Sequence, residues 1–400
     1  MRWHRGIEVV VSTGLLVVLC GCGSPTWIPL LGIGYGAYEE VRGIGVLRSL
    51  NANTLPAVKV KALYLTGWTA GRPDRVEHYA ALADATEINA YVVDIKDSDG
   101  YVGYESQVPE AIQAKAWIRK FHPEKMLKVF HDHHLRVIAR LVCFKDPVIA
   151  AAKPDWAIKN TADGAWKDDK KLSWLNPYNK DCWAYTIALA KEAIEKGFDE
   201  IQFDYVRFPS DGNTKAMNFG DTGGKSRADI IVEFLAYARK QLPRVTLSAD
   251  VFGIICESPE DSENIGQWLE KLGNDLDYLC PMVYPSHYAA GQMVNGKSYP
   301  KPDMDPYGVV HSSLVKAKKR IATVSGYKAG VRPYLQNFTA TWLGSGRYQQ
   351  YGPEQVRQQI KAVYDAGYEE WILWSANNTY SESALEKEPL PAKVARLQSP

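Results

Sequence analysis

Short runs of β-branched and aromatic residues alternate with amphipathic segments from residue 58 to about residue 385. Each run is only a few residues long and is bounded by turn-forming residues, which is typical of a buried strand. The segments between the runs repeat apolar positions at helical spacing. The pattern therefore predicts eight strands, at residues 60–65, 90–94, 136–142, 200–204, 246–250, 277–282, 329–335 and 370–374.

Helix-starting and helix-ending residues support the same alternation. We predict that a helix follows each strand, with the clearest at residues 73–86, 123–134, 179–196, 226–242 and 353–366. The helices at 73–86 and 123–134 begin with a proline in the first turn. Gly197 ends the helix at 179–196, Gly367 ends the one at 353–366, and Pro243 follows the one at 226–242. Eight strand-then-helix units between residues 58 and 385 are what a single barrel contains. They predict an α/β fold, a (βα)8 TIM barrel. The alternative, an open doubly wound sheet, lacks its Gly-x-Gly-x-x-Gly signature after the first strand.

The N-terminal residues resemble a bacterial lipoprotein signal. Arg2 and Arg5 precede an apolar run at residues 9–19 that is too short to span a bilayer as a mature helix. The run ends in Leu-Cys-Gly-Cys at 19–22, which resembles a lipobox, so Cys22 is the predicted lipidation site. Gly23 follows it in place of a retention aspartate, which favours the outer membrane or the periplasmic face of the cell envelope. An ordinary membrane anchor or an unprocessed segment is the alternative.

These features divide the chain into a signal (1–22), a Gly-rich tether (23–57), a barrel (58–385) and a tail (386–400). Charges are balanced, with 47 Lys and Arg against 46 Asp and Glu, so nothing favours nucleic acid as a partner. A neutral carbohydrate partner fits better. The cysteines show no paired spacing, and neither Cys-x-x-Cys nor His-Glu-x-x-His occurs, so no metal or other cofactor is predicted.

Two aspartates, Asp204 and Asp250, each lie at the end of a predicted strand, on what we expect to be neighbouring strands. Barrel enzymes place their catalytic residues at this end. Two carboxyls flanking one bond are what glycoside hydrolysis needs, and neighbouring strands imply a separation of about 5 Å and retention of configuration. We expect Arg207 to keep Asp204 ionised as the nucleophile. The apolar flanks of Asp250 suit a general acid, with Asp97 and Glu257 as rivals.

Other polar and aromatic residues fall in the same loops, and the bottom of the barrel shows no comparable concentration. Flat aromatic rings suit sugar faces, and the chain has 12 Trp and 23 Tyr. The predicted substrate-binding residues are Asp94, Lys96, Asp97, Arg140, Tyr205, Arg207, Tyr284, His287, Gln336 and Trp374.

At these residues the chain resembles the bacterial family named "putative glycosyl hydrolase domain", a (βα)8 group. The resemblance rests on the segments VDIKD (93–97), RLVCFKDP (140–147), FDYVRFP (203–209), SADVFG (248–253), PMVYPSHY (281–288), RPYLQ (332–336) and WILW (371–374). These segments extend over nearly the whole barrel. The resemblance implies a TIM barrel and hydrolysis of glycosidic bonds.

A looser similarity links the chain to the α-amylase superfamily, whose strand-four aspartate is the nucleophile and whose strand-five acidic residue is the proton donor. Asp204 and Asp250 occupy these positions, although strand five has aspartate for glutamate and strand seven has Gln336 for aspartate. The strand-four motif of family-18 chitinases ends in glutamate, where this chain has Val206. The sequence thus predicts a glycoside hydrolase of the cell envelope; the alternative is a non-catalytic carbohydrate-binding lipoprotein.

Overall fold

The computed structural model describes residues 58–387 in full. Before them it describes only the backbone of three short strands, Val9–Ser12, Leu15–Val18 and Ile28–Pro29, which pair antiparallel in that order. The chain divides into two units, residues 1–52 and 53–400. Cys22, the predicted lipidation site, and the tail beyond residue 387 lie outside the described residues.

Eight parallel strands form the second unit's main sheet. They are β1 Lys61–Leu65, β2 Ala90–Lys96, β3 Arg136–Val142, β4 Glu200–Asp204, β5 Thr246–Phe252, β6 Tyr278–Met282, β7 in two parts, Gly330–Val331 and Tyr334–Gln336, and β8 Trp371–Trp374. Each strand pairs with its sequence neighbour, and β8 pairs with β1, so the sheet closes on itself. The structure confirms the predicted (βα)8 TIM barrel.

Helices connect most of these strands. They are α1 Gly67–Ala70, α2 Pro73–Ala85, α3 Pro109–Gln113, α4 Pro123–Asp132, α5 Pro147–Ala152, α6 Lys180–Lys196, α7 Arg227–Gln241, α8 Leu269–Leu272, α9 Pro306–Ile321 and α10 Pro353–Asp365. Short 3-10 turns occupy Pro154–Trp156, Thr214–Ala216, Gly253–Cys256, Pro285–His287, Pro302–Met304, Thr341–Leu343 and Glu382–Ala384.

Two strands depart from the prediction that a helix follows each one. After β5 the chain makes only a 3-10 turn and the one-turn helix α8, and after β8 residues up to 387 make only the turn at Glu382–Ala384. Strand β7 is interrupted at Arg332 and Pro333, because proline has no N–H to donate to the ladder. Two small antiparallel pairs lie outside the barrel, Lys159–Asn160 with Met217–Asn218 and Gln292–Val294 with Lys297–Tyr299.

The barrel core contains a cluster of buried apolar side chains, including Val60 just before β1, Ala62, Val92, Ile138 and Ile372. Within residues 58–387, no helix is both long enough and apolar enough to cross a membrane.

The bottom of the barrel carries a buried charge cluster, which corrects the expectation that this end has nothing comparable to the top. Arg332 donates from Nη1 to Glu200 Oε1 at 2.7 Å, and its Nη2 lies 3.4 Å from Glu370 Oε1. Ser248 donates to the same Glu200 oxygen at 2.7 Å. Arg332 and Glu200 are fully buried. The cluster joins β4, β5, β7 and the residue before β8.

Candidate active site

One guanidinium, that of Arg140 on β3, contacts three carboxyl groups at the top of the barrel. Its Nη1 donates to Asp94 Oδ1 at 2.5 Å. Its Nε donates to Asp204 Oδ2 at 3.0 Å, and Nη2 donates to the same oxygen. The Asp250 Oδ2 atom lies 3.5 Å from Nε. The four side chains therefore form one charged group, which we call the Arg140 cluster.

The strand register brings these residues together. In the ladder Asp94 of β2 lies beside Arg140 of β3, and Val142 of β3 lies beside Asp204 of β4. Phe203 of β4 lies beside Ala249 of β5, so Asp204 and Asp250 follow at matching positions. Because parallel strands end at one edge, side chains near their C-terminal ends converge above the barrel core.

Asp204 is held by backbone contacts as well as by Arg140. Its Oδ1 accepts a hydrogen bond from the Tyr205 N–H at 2.5 Å, and its carbonyl accepts one from Cys143 at 2.8 Å. Tyr205 has a φ of 49°, a left-handed conformation that costs a non-glycine residue on the order of 1 kcal/mol. A strained residue next to a carboxylate is typical of functional sites.

Asp250 lies deeper than Asp204. Its side chain is 1% exposed, against 8% for Asp204. Its Oδ1 atom has no hydrogen-bond partner within residues 58–387. Burial, followed by the negative charge of Asp204, raises the pKa of Asp250 well above its ordinary value, although Arg140 acts in the opposite direction. The geometry therefore favours the protonated form of Asp250.

Asp94 is linked to Tyr64, a residue that the sequence analysis missed. The Tyr64 hydroxyl donates to Asp94 Oδ2, and the Arg140 guanidinium lies 5.6 Å from the centre of the Tyr64 ring. Burial raises the pKa of Asp94, although Arg140 lowers it. The alternation of residues along β1 could have identified Tyr64, because Tyr64 follows Val60 and Ala62 as the last position on the inward-facing side of the strand.

An aromatic wall lines one side of the cluster. We define it as Tyr64, Tyr284, Phe338, Trp342 and Trp374. Trp374 lies 6.0 Å from Tyr64, 5.8 Å from Tyr284 and 5.3 Å from Phe338, measured between ring centroids. Phe338 stacks on Trp342 at 5.8 Å, and Trp342 is 63% exposed. The wall thus runs from the carboxyl groups to solvent, and the exposed His287 contacts its rings.

Two predicted substrate-binding residues are engaged inside the protein. Lys96 is 1% exposed, and its Nζ contacts Asp146 at 3.0 Å and the Val142 carbonyl at 2.8 Å. Gln336 is fully buried. Its Oε1 accepts a hydrogen bond from the Ser286 N–H, and its Nε2 donates one to Asp303 Oδ1. Their contacts join neighbouring loops and strands of the barrel.

The two rivals to Asp250 lie outside the Arg140 cluster. Asp97 forms an ion pair with Lys120. Glu257 accepts a hydrogen bond from the Asn295 N–H at 2.9 Å, beside the small outer hairpin. Asp97 reaches the cluster only through a charge interaction with Asp94.

The expectation that Arg207 pairs with Asp204 is corrected by the structure. Arg140 makes the ion pair with Asp204, while the Arg207 guanidinium lies among the rings of Phe252, Tyr205 and Trp174, at 4.4, 4.9 and 5.1 Å. Only two residues separate Asp204 from Arg207 in sequence, but after the left-handed turn at Tyr205 the guanidinium contacts these rings and does not pair with the Asp204 carboxyl. Within residues 58–387, no group of three His, Cys, Asp or Glu side chains is arranged to hold a metal ion.

Comparisons with known proteins agree with this architecture. The glycoside hydrolase domain of PgaB (BpsB) from Bordetella bronchiseptica matches with a TM-score of 0.61 and 11% identity, over 82% of this chain and 99% of that one. At this identity the match shows the fold alone. A hypothetical protein from Ruminiclostridium thermocellum is 60% identical over 47% of this chain and 97% of its own, with a TM-score of 0.45. No curated protein matches.

A family model described as "Putative glycosyl hydrolase domain" matches residues 62–380, from the first strand of the barrel to beyond the last. This match includes every residue of the Arg140 cluster and of the aromatic wall. The chain therefore belongs to the family of putative glycosyl hydrolase domains.

Proposed function

We propose that this protein hydrolyses a glycosidic bond in an oligosaccharide or polysaccharide, using Asp204 and Asp250 with retention of configuration. The observation that carries the proposal is that both carboxyls meet the same Arg140 nitrogen. Because their Oδ2 atoms lie 3.0 and 3.5 Å from Nε, these atoms are at most 6.5 Å apart. Retaining enzymes separate their carboxyls by about 5–5.5 Å and inverting enzymes by about 6.5–9.5 Å.

The environments of the two carboxyls suit different roles. Asp204 accepts two N–H groups from Arg140 and one from Tyr205, which stabilises its anion as a nucleophile. Asp250 has a raised pKa, and its Oδ1 has no hydrogen-bond partner among residues 58–387, so it suits the proton donor to the leaving oxygen. In the second step Asp250 would take a proton from the attacking water. Asp94, with a raised pKa and greater exposure, is the rival donor.

A panel of glycans, with product stereochemistry read by NMR, tests this proposal. On a validated substrate, Asp204→Asn should lower kcat by at least about a thousandfold while the fold is kept, because the covalent route is lost. Asp250→Asn should slow substrates with poor leaving groups far more than activated aryl glycosides, which need little protonation.

Azide rescue then identifies the donor among Asp250, Asp94, Asp97 and Glu257. Rescue confined to Asp94→Asn would move the acid role to that residue, and an inverted product would overturn the retaining mechanism. Activity of Asp204→Asn within a few-fold of the unmodified protein would exclude Asp204 as nucleophile.

A non-catalytic carbohydrate-binding protein is the second candidate. The observation in its favour is that Asp94, Asp204 and Asp250 are all bound by one arginine, and none has a side chain more than 8% exposed. Glycan binding without turnover, unchanged in Asp204→Asn, would support this alternative over catalysis.

We further propose that Cys22 is lipidated and anchors the protein to the cell envelope, on its outer-membrane or periplasmic side. The support is the sequence Leu-Cys-Gly-Cys at 19–22 after a short apolar run. Cys22→Ser should release the protein from the membrane fraction, whereas the neighbouring Cys20→Ser should leave it there. Full-length protein found in the soluble fraction with its N-terminal residues intact would contradict the proposal.

A further inference from the structure

Positive charge gathers around Tyr205, on the side of the cleft formed by the loops after β3 and β4. The Arg207 guanidinium lies 4.9 Å and the Lys145 Nζ 5.3 Å from the centre of the Tyr205 ring. Lys170 and Arg140 also act on the Tyr205 hydroxyl through their charges. Tyr205 directly follows Asp204, so this charge lies beside the carboxyl group at the centre of the proposed reaction.

The Arg207 guanidinium has N–H donors that its described hydrogen bonds do not use. Only 7% of the residue is exposed, yet its hydrogen bonds all leave from Nη1, to the Phe208 carbonyl at 2.8 Å and to Ser210 Oγ at 3.4 Å. Neither Nε nor Nη2 has a partner within residues 58–387, and neither is fully enclosed. These two nitrogens form the edge of a guanidinium that binds a carboxylate through two parallel hydrogen bonds.

The carboxylates near Arg207 have other partners. Asp204 pairs with Arg140, and Asp168 accepts the Trp174 indole N–H and lies 3.4 Å from Lys145 Nζ. Asp204 and the exposed Asp211 act on Arg207 through their charges alone. Arg207 is therefore a nearly buried cation with no carboxylate paired to it in the described structure. Burying an unpaired cation costs free energy, and binding of an anion would offset that cost.

We propose that the cleft contains a subsite for a carboxylate-bearing sugar, in which Arg207 receives the carboxylate through Nε and Nη2. The proposal rests on the proposed function, because it takes the cleft to be the sugar site. It identifies an acidic saccharide as the substrate class.

The test compares two probes of the same shape that differ in charge. Methyl glucuronoside carries the carboxylate, and the amide of the same sugar replaces it with a neutral group. Binding to the full-length protein at millimolar concentration is followed by fluorescence of Trp174 and its neighbours and by calorimetry. We expect the carboxylate probe to bind at least about tenfold more tightly than the amide, as a charge-assisted pair implies.

Variants locate the interaction. Arg207→Gln should abolish the preference, and Arg207→Lys should restore only part of it, since an ammonium lacks the planar fork. The matched control is Arg227→Gln, because Arg227 also lies over two aromatic rings, at 5.2 and 5.1 Å, but away from Tyr205. Should Arg207→Gln fail to fold, competition on the unmodified protein decides, since acetate should displace the glucuronoside and leave any amide binding unchanged.

Equal binding of the two probes, no binding of the glucuronoside, or a preference that survives Arg207→Gln would each overturn the subsite. The readout is binding and not turnover, so it is separate from the hydrolase proposal. A neutral glycan turned over in an Asp204-dependent manner, without preference for the acidic probe, would leave the hydrolase standing and remove the subsite.

Discussion

A single guanidinium faces three carboxyl groups in the mouth of the barrel, so the arginine does not pair equally with all of them. Burial opposes the charge of Arg140, but the carboxylates of Asp94 and Asp204 more than offset it and keep the pKa of Arg140 well above its ordinary value. Asp204 receives two of the arginine's N–H groups, while Asp250 lies farther from the same nitrogen and deeper in the barrel. These unequal contacts support the different roles that we propose for the two carboxyls, Asp204 as nucleophile and Asp250 as proton donor.

At the residue scale, we predict that Asp250→Asn stabilises the folded protein at neutral pH. The pKa of Asp250 lies well above its ordinary value of 3.8 in the folded chain. Between these two values the unfolded chain releases the proton and the folded chain keeps it, so stability falls as the pH rises. Asparagine has no such proton, and the variant should gain at least about 1 kcal/mol at pH 7.

Denaturant unfolding of both proteins from pH 3 to pH 8 measures this difference. The gain should be smallest near pH 3, below the ordinary pKa of 3.8, where Asp250 is mostly protonated in both states, and should grow as the pH rises. Asp94, whose pKa is also raised, titrates in both proteins, and its charge is one of those that raise the pKa of Asp250. A gain that is independent of pH, or a loss at pH 7, would contradict the prediction.

The sequence predicted the neighbouring positions of Asp204 and Asp250, because strand order and strand ends follow from the pattern of the chain. It did not predict that Arg140 binds both of them. The closeness of Arg207 to Asp204 in sequence predicts an ion pair between them, but the left-handed turn at Tyr205 separates the two side chains. Partners across a barrel depend on register and side-chain direction, which a single sequence does not contain.

At the scale of elements, the strands could be predicted to within a few residues, because short apolar runs between helical segments have few other interpretations. The structure differs from the predicted strands and helices where local chemistry overrides the hydrophobic periodicity. Pro333 breaks β7, and the connection after β5 buries its apolar residues in a 3-10 turn and the one-turn helix α8. Helix α6 shows the opposite case, since Asn179 and Gly197 mark its ends in sequence and in structure.

Gly197 supports a second prediction, at the element scale. It closes α6 with a φ of 107°, and a Cβ there would meet only Leu127 Cδ1, at 3.6 Å. Gly197→Ala should therefore lower the free energy of unfolding by about 1 kcal/mol through backbone strain alone. Gly352→Ala is the matched control, because Gly352 precedes α10 with a φ of −126°, and a Cβ there would meet only Gln355 Oε1, at 3.8 Å. Equal losses in both variants would contradict a conformational cause.

At the scale of the whole molecule, the two ends of the barrel handle buried charge differently. At the top, three carboxyls share one arginine. At the bottom, Arg332 has two carboxylates, and the charges of Glu200 and Glu370 offset burial and raise its pKa above the ordinary value. The bottom cluster joins the strands on both sides of the barrel, so we assign it to the closure of the sheet and not to chemistry.

Arg332→Met tests that assignment. Removing the guanidinium leaves Glu200 buried with Ser248 as its remaining described partner, and this should cost about 3–5 kcal/mol in the free energy of unfolding. The double variant Arg332→Met with Glu200→Gln should recover a large part of the loss, because no uncompensated charge remains on Glu200. Activity per folded molecule on a validated substrate should stay near that of the unmodified protein, since the cluster lies at the end of the barrel opposite to Asp204. A folded double variant no more stable than the single one would show that the arginine's packing against the Tyr278 ring, 3.7 Å from the guanidinium, matters more than its charge.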